Sequence, residues 1–419
     1  TTGSVYLSVI QKERNLEYAG KNVEVVPDIP LEVISRIKKA QKAANADVVL
    51  VEIGGTVGEY QNVLFLEAVR MMKTEHANDV AVVMVSYLPV PGSIGEMKTK
   101  PTQTAVRTLN SAGVFADLIV ARSSLPIDQK RKQKIATFCN VKAENVISAP
   151  DVQSIYDIPL NYENDQFSLR LCQQLGLPTK QPAELSTWKK FVARSKNGND
   201  TVKIAVVGKY FNSGDFVLSD VYLSVIEALK YSAYSLNLKP QITYLSAQDF
   251  SDKEKLKELK KFDGVLVPGG FGSTGIEGKL NVIEYVRKQK IPYFGICYGM
   301  QLAILEYARN VLKLTNSSTE EIDPKPEHLI IGVMPEQREN IAKKVLGGSM
   351  RLGQYPALIK KGTLARQAYK AEAILERHRH RYEVNPEYIS KLEAAGMTFS
   401  GTSPDGRLME IAELPTNVH

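Results

Sequence analysis

One cysteine lies where a short apolar run changes abruptly into a helical pattern. Residues 291–294 are followed by Gly295-Ile296-Cys297-Tyr298-Gly299. From residue 300 onward, apolar side chains recur at helical spacing, with Glu306 and Arg309 on the opposite side, so the stretch predicts strand, tight turn and helix. Glycines flanking the turn permit strained backbone and close strand–helix packing. Cys297 is therefore predicted at the apex of a nucleophile elbow.

The start of a helix is a reactive position for a cysteine. The helix dipole and free backbone N–H groups favour the thiolate there. A buried core cysteine is the alternative interpretation, but the flanking glycines and the strand-to-helix change favour the nucleophile. Cys139 and Cys172 lie in helical patterns without such a turn.

A glycine-rich loop stands upstream of the elbow. Residues 264–267 are typical of a buried strand and lead into Pro268-Gly269-Gly270-Phe271-Gly272. Such a loop can present backbone N–H groups to an oxyanion, although alone it is more often a simple turn. Together, the loop and the elbow resemble class I glutamine amidotransferases, in which a cysteine takes ammonia from glutamine through a thioester.

Two stretches in the first half of the chain could bind a nucleotide. Glu52 ends a β-branched run and precedes two glycines, which suits a Mg²⁺ ligand near a triphosphate. Lys98 and Lys100 precede a helix that we expect Thr102 to cap, so both ammonium groups and the helix N-terminus could face one anion. A plain strand-to-helix turn and a solvated basic loop stay open as alternatives.

Strands and helices alternate in both halves, which predicts two open, mostly parallel α/β sheet domains. We predict a domain at residues 1–177, a linker at 178–200 with prolines and a polar turn, and a domain at 201–419. The predicted strands are 22–26, 47–53, 80–85, 118–120, 203–208, 241–245 and 264–267. The predicted helices are 31–43, 63–73, 102–111, 129–138 and 218–233.

The composition is typical of a globular protein and disfavours nucleic-acid and membrane binding. The 419 residues are 43% hydrophobic and 24% charged, as in ordinary globular proteins of two or three domains. The net charge of +7 is scattered, which favours anionic small molecules over nucleic acid. Three cysteines without pairing or metal spacing predict a reducing cytoplasm. No apolar run reaches membrane-spanning length, so we expect no membrane association.

The chain resembles the CTP synthase family in ordered motifs along nearly its whole length. The matching segments are the glycine loop, the elbow and residues 51–58, 98–103, 138–141, 151–156, 348–353 and 377–385. The last segment, Arg-His-Arg-His-Arg-Tyr-Glu-Val-Asn, is the most specific. The resemblance implies an amidoligase domain similar to dethiobiotin synthetase, followed by a class I glutamine amidotransferase domain.

The resemblance also implies a reaction. ATP would phosphorylate the uracil 4-oxygen of UTP, and ammonia released from glutamine at Cys297 would displace the phosphate through an enclosed route. It further implies Mg²⁺ as cofactor, GTP as a candidate allosteric activator, CTP as feedback inhibitor and a cytoplasmic homotetramer. Two other functions stay open: another class I amidotransferase or glutamine hydrolase without a UTP site, and a non-catalytic assembly protein of this fold.

Site residues follow from the matching motifs. Cys297 matches the nucleophile, and the oxyanion and glutamine sites match Gly270, Tyr298, Gln301, Glu320 and Arg381, with Glu320 on the substrate ammonium and Arg381 on its carboxylate. The UTP site matches Lys98, Lys100, Gln103, Lys134, Glu59, Tyr60 and Gln61. The residues matching the ATP and Mg²⁺ sites are Arg122, Asp151, Val152 and Glu52.

The sequence departs from the family pattern in places. The family's P-loop and its C-terminal His-Pro-Glu have no match in the sequence given, and none of the five histidines matches the catalytic base. We therefore expect residues 1–419 by themselves to be inactive in both half-reactions. Glu59-Tyr60-Gln61 replaces the usual Asp-Ile-Glu, which bears on base recognition. Ser273-Thr274 replaces an aromatic–Arg pair, which bears on activation by GTP.

Overall fold

The computed structural model describes residues 2–92, 95–179, 183–209, 212–213, 216–217, 222–342 and 350–415. The chain divides into two compact units, Thr1–Val192 and Ala193–His419. Among the described residues, no helix combines the length and the apolar character needed to cross a membrane.

The first unit alternates helices with a parallel three-stranded sheet in the order β1-β2-β3. Its elements are α1 (Thr2–Arg14), α2 (Val25–Ala44), α3 (Val63–Glu75), β1 (Val83–Tyr87), α4 (Lys100–Ser111), β2 (Leu118–Ser123), α5 (Gln129–Cys139), β3 (Val146–Pro150), α6 (Ile158–Asn164) and α7 (Phe167–Gln174). Helix α8 (Ser186–Lys196) follows. Short 3₁₀ turns lie at Tyr60–Asn62, Ala143–Asn145 and Ile155–Asp157.

The central strand β2 is covered on both faces. Ile119 and Ala121 belong to a core cluster with side chains of α4 and α5. Leu118 and Val120 pack instead in a cluster that includes side chains of α6 and α7. A strand buried on both faces needs a continuous apolar run, which explains why the sequence pattern identified it.

The apolar run at residues 47–53 is not a strand, which corrects the prediction. Residues 48–51 are exposed, and Leu50 is 89% exposed. A β-branched run becomes a strand only where a neighbouring backbone completes its hydrogen-bond ladder. Within the described part of the chain, β1 pairs with β2 and no strand pairs with this run. Glu52 consequently lies on an exposed, irregular segment.

Two further predictions near helix ends are wrong. No strand forms at residues 22–26, because Glu24 N–H donates to Asp28 Oδ2 at 2.8 Å and α2 begins at Val25. Thr102 does not cap α4, which begins at Lys100. The buried Thr102 hydroxyl instead bonds the Ser86 hydroxyl at 2.8 Å, which joins α4 to β1.

The predicted linker contains an ordered helix. The boundary between the two units falls inside α8, and residues 180–182 lie outside the described residues. Trp188 Nε1 donates to the Tyr156 carbonyl at 2.9 Å, and the Trp188 and Phe191 rings contact the Tyr156 ring. These aromatic side chains anchor the beginning of α8 in the first unit.

The second unit contains a parallel sheet in the order β7-β4-β8-β9. Its elements up to the elbow are β4 (Asp200–Gly208), β5 (Asn212–Ser213), β6 (Phe216–Val217), α9 (Leu223–Ser235), β7 (Leu238–Ser246), β8 (Gly264–Val267), α10 (Ile276–Gln289), β9 (Tyr293–Gly295) and α11 (Tyr298–Asn310). The start of the helix predicted at 218–233 falls on residues 218–221, which lie outside the described residues.

Two further sheets follow, in the orders β10-β11-β14 and β13-β12-β15-β16. The elements are β10 (Ser317–Thr319), β11 (His328–Val333), α12 (Pro335–Ala342), β12 (Arg351–Ile359), α13 (Leu364–Tyr369), β13 (Ala373–His380), β14 (Tyr382–Val384), α14 (Pro386–Ala394), β15 (Thr398–Thr402) and β16 (Met409–Glu413). The second of these sheets is antiparallel, which the sequence patterns did not predict.

Helices α10 and α11 are joined by a buried ion pair. Arg287 Nε and an Arg287 amino group donate to the two oxygens of Glu306 at 2.8 and 2.6 Å. Glu306 is only 1% exposed, so its predicted place on the outer side of the helix is wrong. A carboxylate can be buried here because a bidentate guanidinium satisfies both of its oxygens.

Replacing Glu306 with alanine should destabilise the second unit by about 3–5 kcal/mol, because Arg287 would lose the buried carboxylate that accepts two of its hydrogen bonds and keep only the nearby charge of Glu284. Hydrogen exchange of α10 and α11 peptides measures this change locally. The matched control is Lys288→Ala, which breaks the Glu284–Lys288 pair on the same helix from its exposed lysine and leaves Glu284 in place. We expect about 0.3–0.5 kcal/mol for the control. Equal effects of the two variants would contradict the argument.

Candidate active site around Cys297

The predicted elbow is present. Strand β9 ends at Gly295, α11 begins at Tyr298, and Cys297 lies between them with φ 53° and ψ −105°. A positive φ is uncommon for a residue with a side chain, and such backbone occurs at functional sites where surrounding structure enforces it.

The flanking glycines are required by close approach of backbone to backbone. A Cβ atom on Gly299 would lie 2.1 Å from the Val267 carbonyl oxygen, and one on Gly295 would lie 2.6 Å from the Gly299 carbonyl carbon. Hydrogen bonds fix the same turn, since Ile296 N–H donates to the Val267 carbonyl at 3.0 Å and the Tyr293 hydroxyl to the Gly299 carbonyl at 2.8 Å.

The glycine loop after β8 lies against the nucleophile. A Cβ atom on Gly269 would lie 3.5 Å from Cys297 Cβ and 4.0 Å from its Sγ. A Cβ atom on Gly270 would lie 3.9 Å from Cδ1 of Tyr298. The fold therefore brings together Gly270, Cys297 and Tyr298, the residues to which the resemblance gives the roles of nucleophile and oxyanion donors.

Burial of Cys297 opposes the thiolate that the sequence predicted. Burial raises the pKa of the thiol to about 11, the Tyr298 N–H group lowers it, and the charges of Glu321 and Glu383 raise it further. The helix N-terminus thus acts in the expected direction but is the weaker effect. Among the described residues, Cys297 Sγ has one hydrogen-bond acceptor, the Arg379 carbonyl at 3.9 Å.

Two charged residues near the glycine loop were missed by the sequence reasoning. Glu321 accepts a hydrogen bond from Gly272 N–H at 2.8 Å, and burial raises its pKa although Lys209, Arg381 and Lys279 act against this. Lys279 is only 1% exposed, and burial lowers its pKa to about 8. The position of Glu321 next to Glu320 could have drawn attention to it. For Lys279 the sequence offers no such signal, because helical spacing alone does not distinguish a buried lysine.

The predicted glutamine-binding residues lie on neighbouring elements. Gln301 is buried, and its Nε2 donates to the Tyr382 carbonyl at 2.9 Å, next to Arg381. Glu320 is engaged within the protein, because it accepts from Arg338 at 2.9 Å and from Val333 N–H at 2.8 Å. A substrate ammonium at Glu320 would therefore have to share or displace Arg338.

The histidines nearest in sequence to Arg379 have other partners. His378 Nδ1 and His380 Nε2 lie 2.9 Å apart, and His380 Nδ1 lies 3.3 Å from the Tyr382 carbonyl. Burial lowers the pKa of His380 to about 4. His419 and two residues of a matching motif, Gly348 and Ser349, lie outside the described residues.

In the first unit, predicted nucleotide-binding residues surround the N-terminus of α4. Lys98 Nζ donates to Glu96 at 2.7 Å, Lys100 is exposed, and Gln103 Nε2 donates to the Thr99 hydroxyl at 3.1 Å. The pKa of Glu96 is lowered first by its bond to Lys98 and also by the charge of Lys134. Lys98 and Lys134 are therefore close enough to act on one carboxylate.

The predicted ATP and pyrimidine residues form two further groups. Arg122 pairs with Asp151 at 3.4 Å where β2 and β3 end, and Val152 follows Asp151. Glu59 accepts from Thr56 N–H at 3.0 Å and from Gln61, while Tyr60 is 99% exposed.

Glu52 could serve as one Mg²⁺ ligand. Among the described residues, it does not form a cluster with other carboxylate, histidine or cysteine side chains. Mg²⁺ often keeps several waters and binds one or two carboxylates together with phosphates, so a single exposed carboxylate fits that role.

Two family models and several relatives match the chain. The model described as CTP synthase N-terminus matches residues 1–177, and the model described as Glutamine amidotransferase class-I matches residues 217–419. The CTP synthase of Halalkalibacterium halodurans is 45% identical over 415 residues, and that of Pyrococcus abyssi is 48% identical over 417. These alignments cover 99% of this chain and 76% and 75% of the relatives.

A solved structure of the glutaminase domain of Trypanosoma brucei CTPS with bound acivicin is 33% identical, covers 52% of this chain and 82% of that chain, and has a TM-score of 0.47. The first family model matches residues of the first unit and the second matches residues of the second unit. The chain therefore belongs to the CTP synthase family of glutamine-hydrolysing ligases.

Proposed function

We propose that the second unit hydrolyses glutamine at Cys297 and that the first unit binds UTP and ATP, so that the released ammonia aminates UTP to CTP. The observation that carries this proposal is the strained Cys297 held against the glycine loop. A thiol in that position can attack an amide carbonyl while backbone N–H groups of the loop and the helix face the oxygen.

In the proposed hydrolysis, the sulfur of Cys297 attacks the side-chain amide of glutamine. Backbone N–H groups of Gly270 and Tyr298 stabilise the oxyanion, ammonia leaves, and water hydrolyses the thioester. Because burial holds the thiol pKa near 11, the proton must be transferred to a base when the substrate is bound. His378 and His380 are not assigned as that base, since their ring nitrogens face each other.

Substrate recognition would use two residues whose charges both act on Tyr382. We assign the substrate carboxylate to Arg381, its ammonium to Glu320 and a further contact with the glutamine to Gln301. The bond from Gln301 to Tyr382 supports this placement, because it ties α11 to the segment that carries Arg381.

In the first unit, we assign the UTP phosphates to a group of basic and amide side chains and the pyrimidine to a neighbouring acidic loop. The proposed residues are Lys98, Lys100, Gln103 and Lys134 for the former and Glu59, Tyr60 and Gln61 for the latter. The proposed ATP residues are Arg122, Asp151 and Val152. When bound at Glu52, Mg²⁺ would neutralise phosphate charge.

Regulation and assembly follow the family in this proposal. We propose GTP as an activator, CTP as a feedback inhibitor, a homotetramer and a cytoplasmic location. The departures at Glu59-Tyr60-Gln61 and Ser273-Thr274 make base recognition and GTP activation the two properties to measure first.

Cys297→Ser in the intact protein should abolish glutamine-dependent CTP formation, by at least about 10³-fold, because serine is a far weaker nucleophile here. CTP formation from free ammonia should persist, since it bypasses the glutaminase. The control is Cys172→Ser, a half-buried cysteine in the first unit. Loss of ammonia-dependent activity in Cys297→Ser would contradict two separate half-reactions.

Alkylation of Cys297 by iodoacetamide should accelerate about tenfold per pH unit and level off only near pH 11, because the folded thiol has its pKa raised to about 11. Glu321→Gln should speed alkylation at fixed pH, since removing a nearby negative charge lowers that pKa. Mass spectrometry of the Cys297 peptide gives the rates. The control is the exposed Glu327→Gln, and a plateau near pH 7 would refute the buried-thiol account.

Lys98→Ala and Lys100→Ala should each weaken UTP binding by about 1.5–3 kcal/mol, the range for hydrogen bonds to charged groups. Isothermal titration of the intact protein measures this effect, and the exposed Lys130→Ala is the matched control. Unchanged UTP affinity in both variants would favour an amidotransferase or hydrolase that has no UTP site.

A further inference from the structure

A cluster of buried polar side chains includes residues of β13, the strand whose Arg379 carbonyl contacts the nucleophile. We call it the histidine cluster, and it comprises His378 and His380 of β13, Glu410 of β16, Arg351 of β12 and Glu383 of β14. The side chains of His378, His380 and Glu410 are 12%, 13% and 4% exposed. The hydrolysis proposed above uses none of these side chains.

Three of these side chains have the geometry of a metal-binding site. His378 Nδ1 lies 2.9 Å from His380 Nε2 and 3.5 Å from Glu410 Oε2. One ligand atom from each of the three residues lies within 4.8 Å of the other two. Tetrahedral Zn²⁺ with bonds of about 2.0–2.1 Å holds its ligand atoms about 3.3 Å apart. The two measured separations bracket that value.

The orientation of His380 suits a metal ligand. Its Nδ1 lies 3.3 Å from the Tyr382 carbonyl, which can only accept a hydrogen bond, so the proton of the neutral ring belongs on Nδ1 and the lone pair on Nε2. Glu383 Oε1 lies 3.2 Å from the same nitrogen. A carboxylate behind a ligating histidine is a common arrangement in zinc sites, because it fixes the tautomer and raises the basicity of the ring. Nε2 faces His378 Nδ1, where a metal ion would replace the one hydrogen between the two rings.

Arg351 shows that this position already attracts a cation. One of its amino groups lies 3.1 Å from Glu410 Oε2 and 3.3 Å from His378 Nδ1, while the other lies 2.8 Å from Glu410 Oε1. A metal ion would displace the first amino group and leave the second in its ion pair with Glu410. Arg351 is therefore a competitor that lowers metal affinity without blocking the three ligands.

We propose that His378, His380 and Glu410 form a binding site for Zn²⁺ or a similar divalent transition metal, with Glu383 orienting His380. The site goes beyond the proposed glutaminase and synthase reactions and does not depend on them. Its role is structural, because it joins β13 to β16. The same strand carries Arg379, whose carbonyl accepts from Cys297 Sγ, so the metal would stiffen the backbone beside the nucleophile.

The test uses intact protein carrying Cys297→Ser, so that the active-site thiol cannot bind the metal, after removal of metals with a chelator. Co²⁺ absorption reports tetrahedral coordination, and titration with Zn²⁺ gives the affinity. His380→Asn should weaken Zn²⁺ binding by more than the about 10–100-fold loss expected for Glu383→Gln, which removes only the orienting carboxylate. His328→Asn, a histidine outside the cluster, is the matched control and should bind as the parent does.

Arg351→Met should strengthen Zn²⁺ binding, because it removes the competing guanidinium and leaves the three ligands. Circular dichroism identifies variants that fail to fold. If Arg351→Met fails to fold, Arg351→Lys is measured in its place. A Zn²⁺-dependent rise in melting temperature that is lost in His380→Asn would give independent support. The proposal is overturned if the parent binds neither metal, or if it binds them equally well after His380→Asn.

Discussion

The close approach of α11 to β8 is the constraint on which the second unit depends. At Gly299 the two backbones are so near that a Cβ atom would lie 2.1 Å from the Val267 carbonyl oxygen. This packing requires glycine on both sides of the turn and leaves Cys297 as the residue with strained backbone between them. Because β8 also leads directly into the glycine loop, one backbone contact determines both the position of the sulfur and the position of the loop.

The electrostatics of the site oppose ionisation of the nucleophile at rest. Burial raises the Cys297 pKa, and Glu321 and Glu383 act in the same direction. Lys209, Arg381 and Lys279 lie near Glu321 and offset part of its charge. A substrate that brings its own ammonium and carboxylate would alter this balance, because each added charge would be close to an existing one in a site with little water. The thiolate would then form with the substrate in place, and the surroundings of the half-buried thiol oppose ionisation until that point.

Features that depend on residues close together in the sequence could be predicted from it. Features that depend on contacts between distant parts of the chain could not. The elbow is a local pattern of glycines and a change of periodicity, and β8, α3 and α5 were predicted nearly to the residue. The run at 47–53 has the composition of a strand, but a ladder needs a second backbone, and no property of the run itself provides one. Glu306 was assigned to the surface because its burial depends on Arg287 of another helix. The placement of Glu320 beside Arg338, and of Glu321 against the glycine loop, also follows from tertiary packing that spacing does not encode.

The stretch Arg377-His378-Arg379-His380-Arg381 contributes both to the histidine cluster and to the surroundings of Cys297. Side chains of a strand point to opposite faces in turn, so every second residue meets the same environment. The histidines meet Glu410, Glu383 and Arg351, which come from three other strands. Between them, the Arg379 carbonyl meets Cys297, and the charge of Arg381 acts on Glu321. A change on the histidine face would therefore act on the strand whose backbone contacts the sulfur, although neither His378 nor His380 bonds the nucleophile. This coupling gives a physical reason why the two histidines, the Arg379 carbonyl and Arg381 are carried on one stretch of chain.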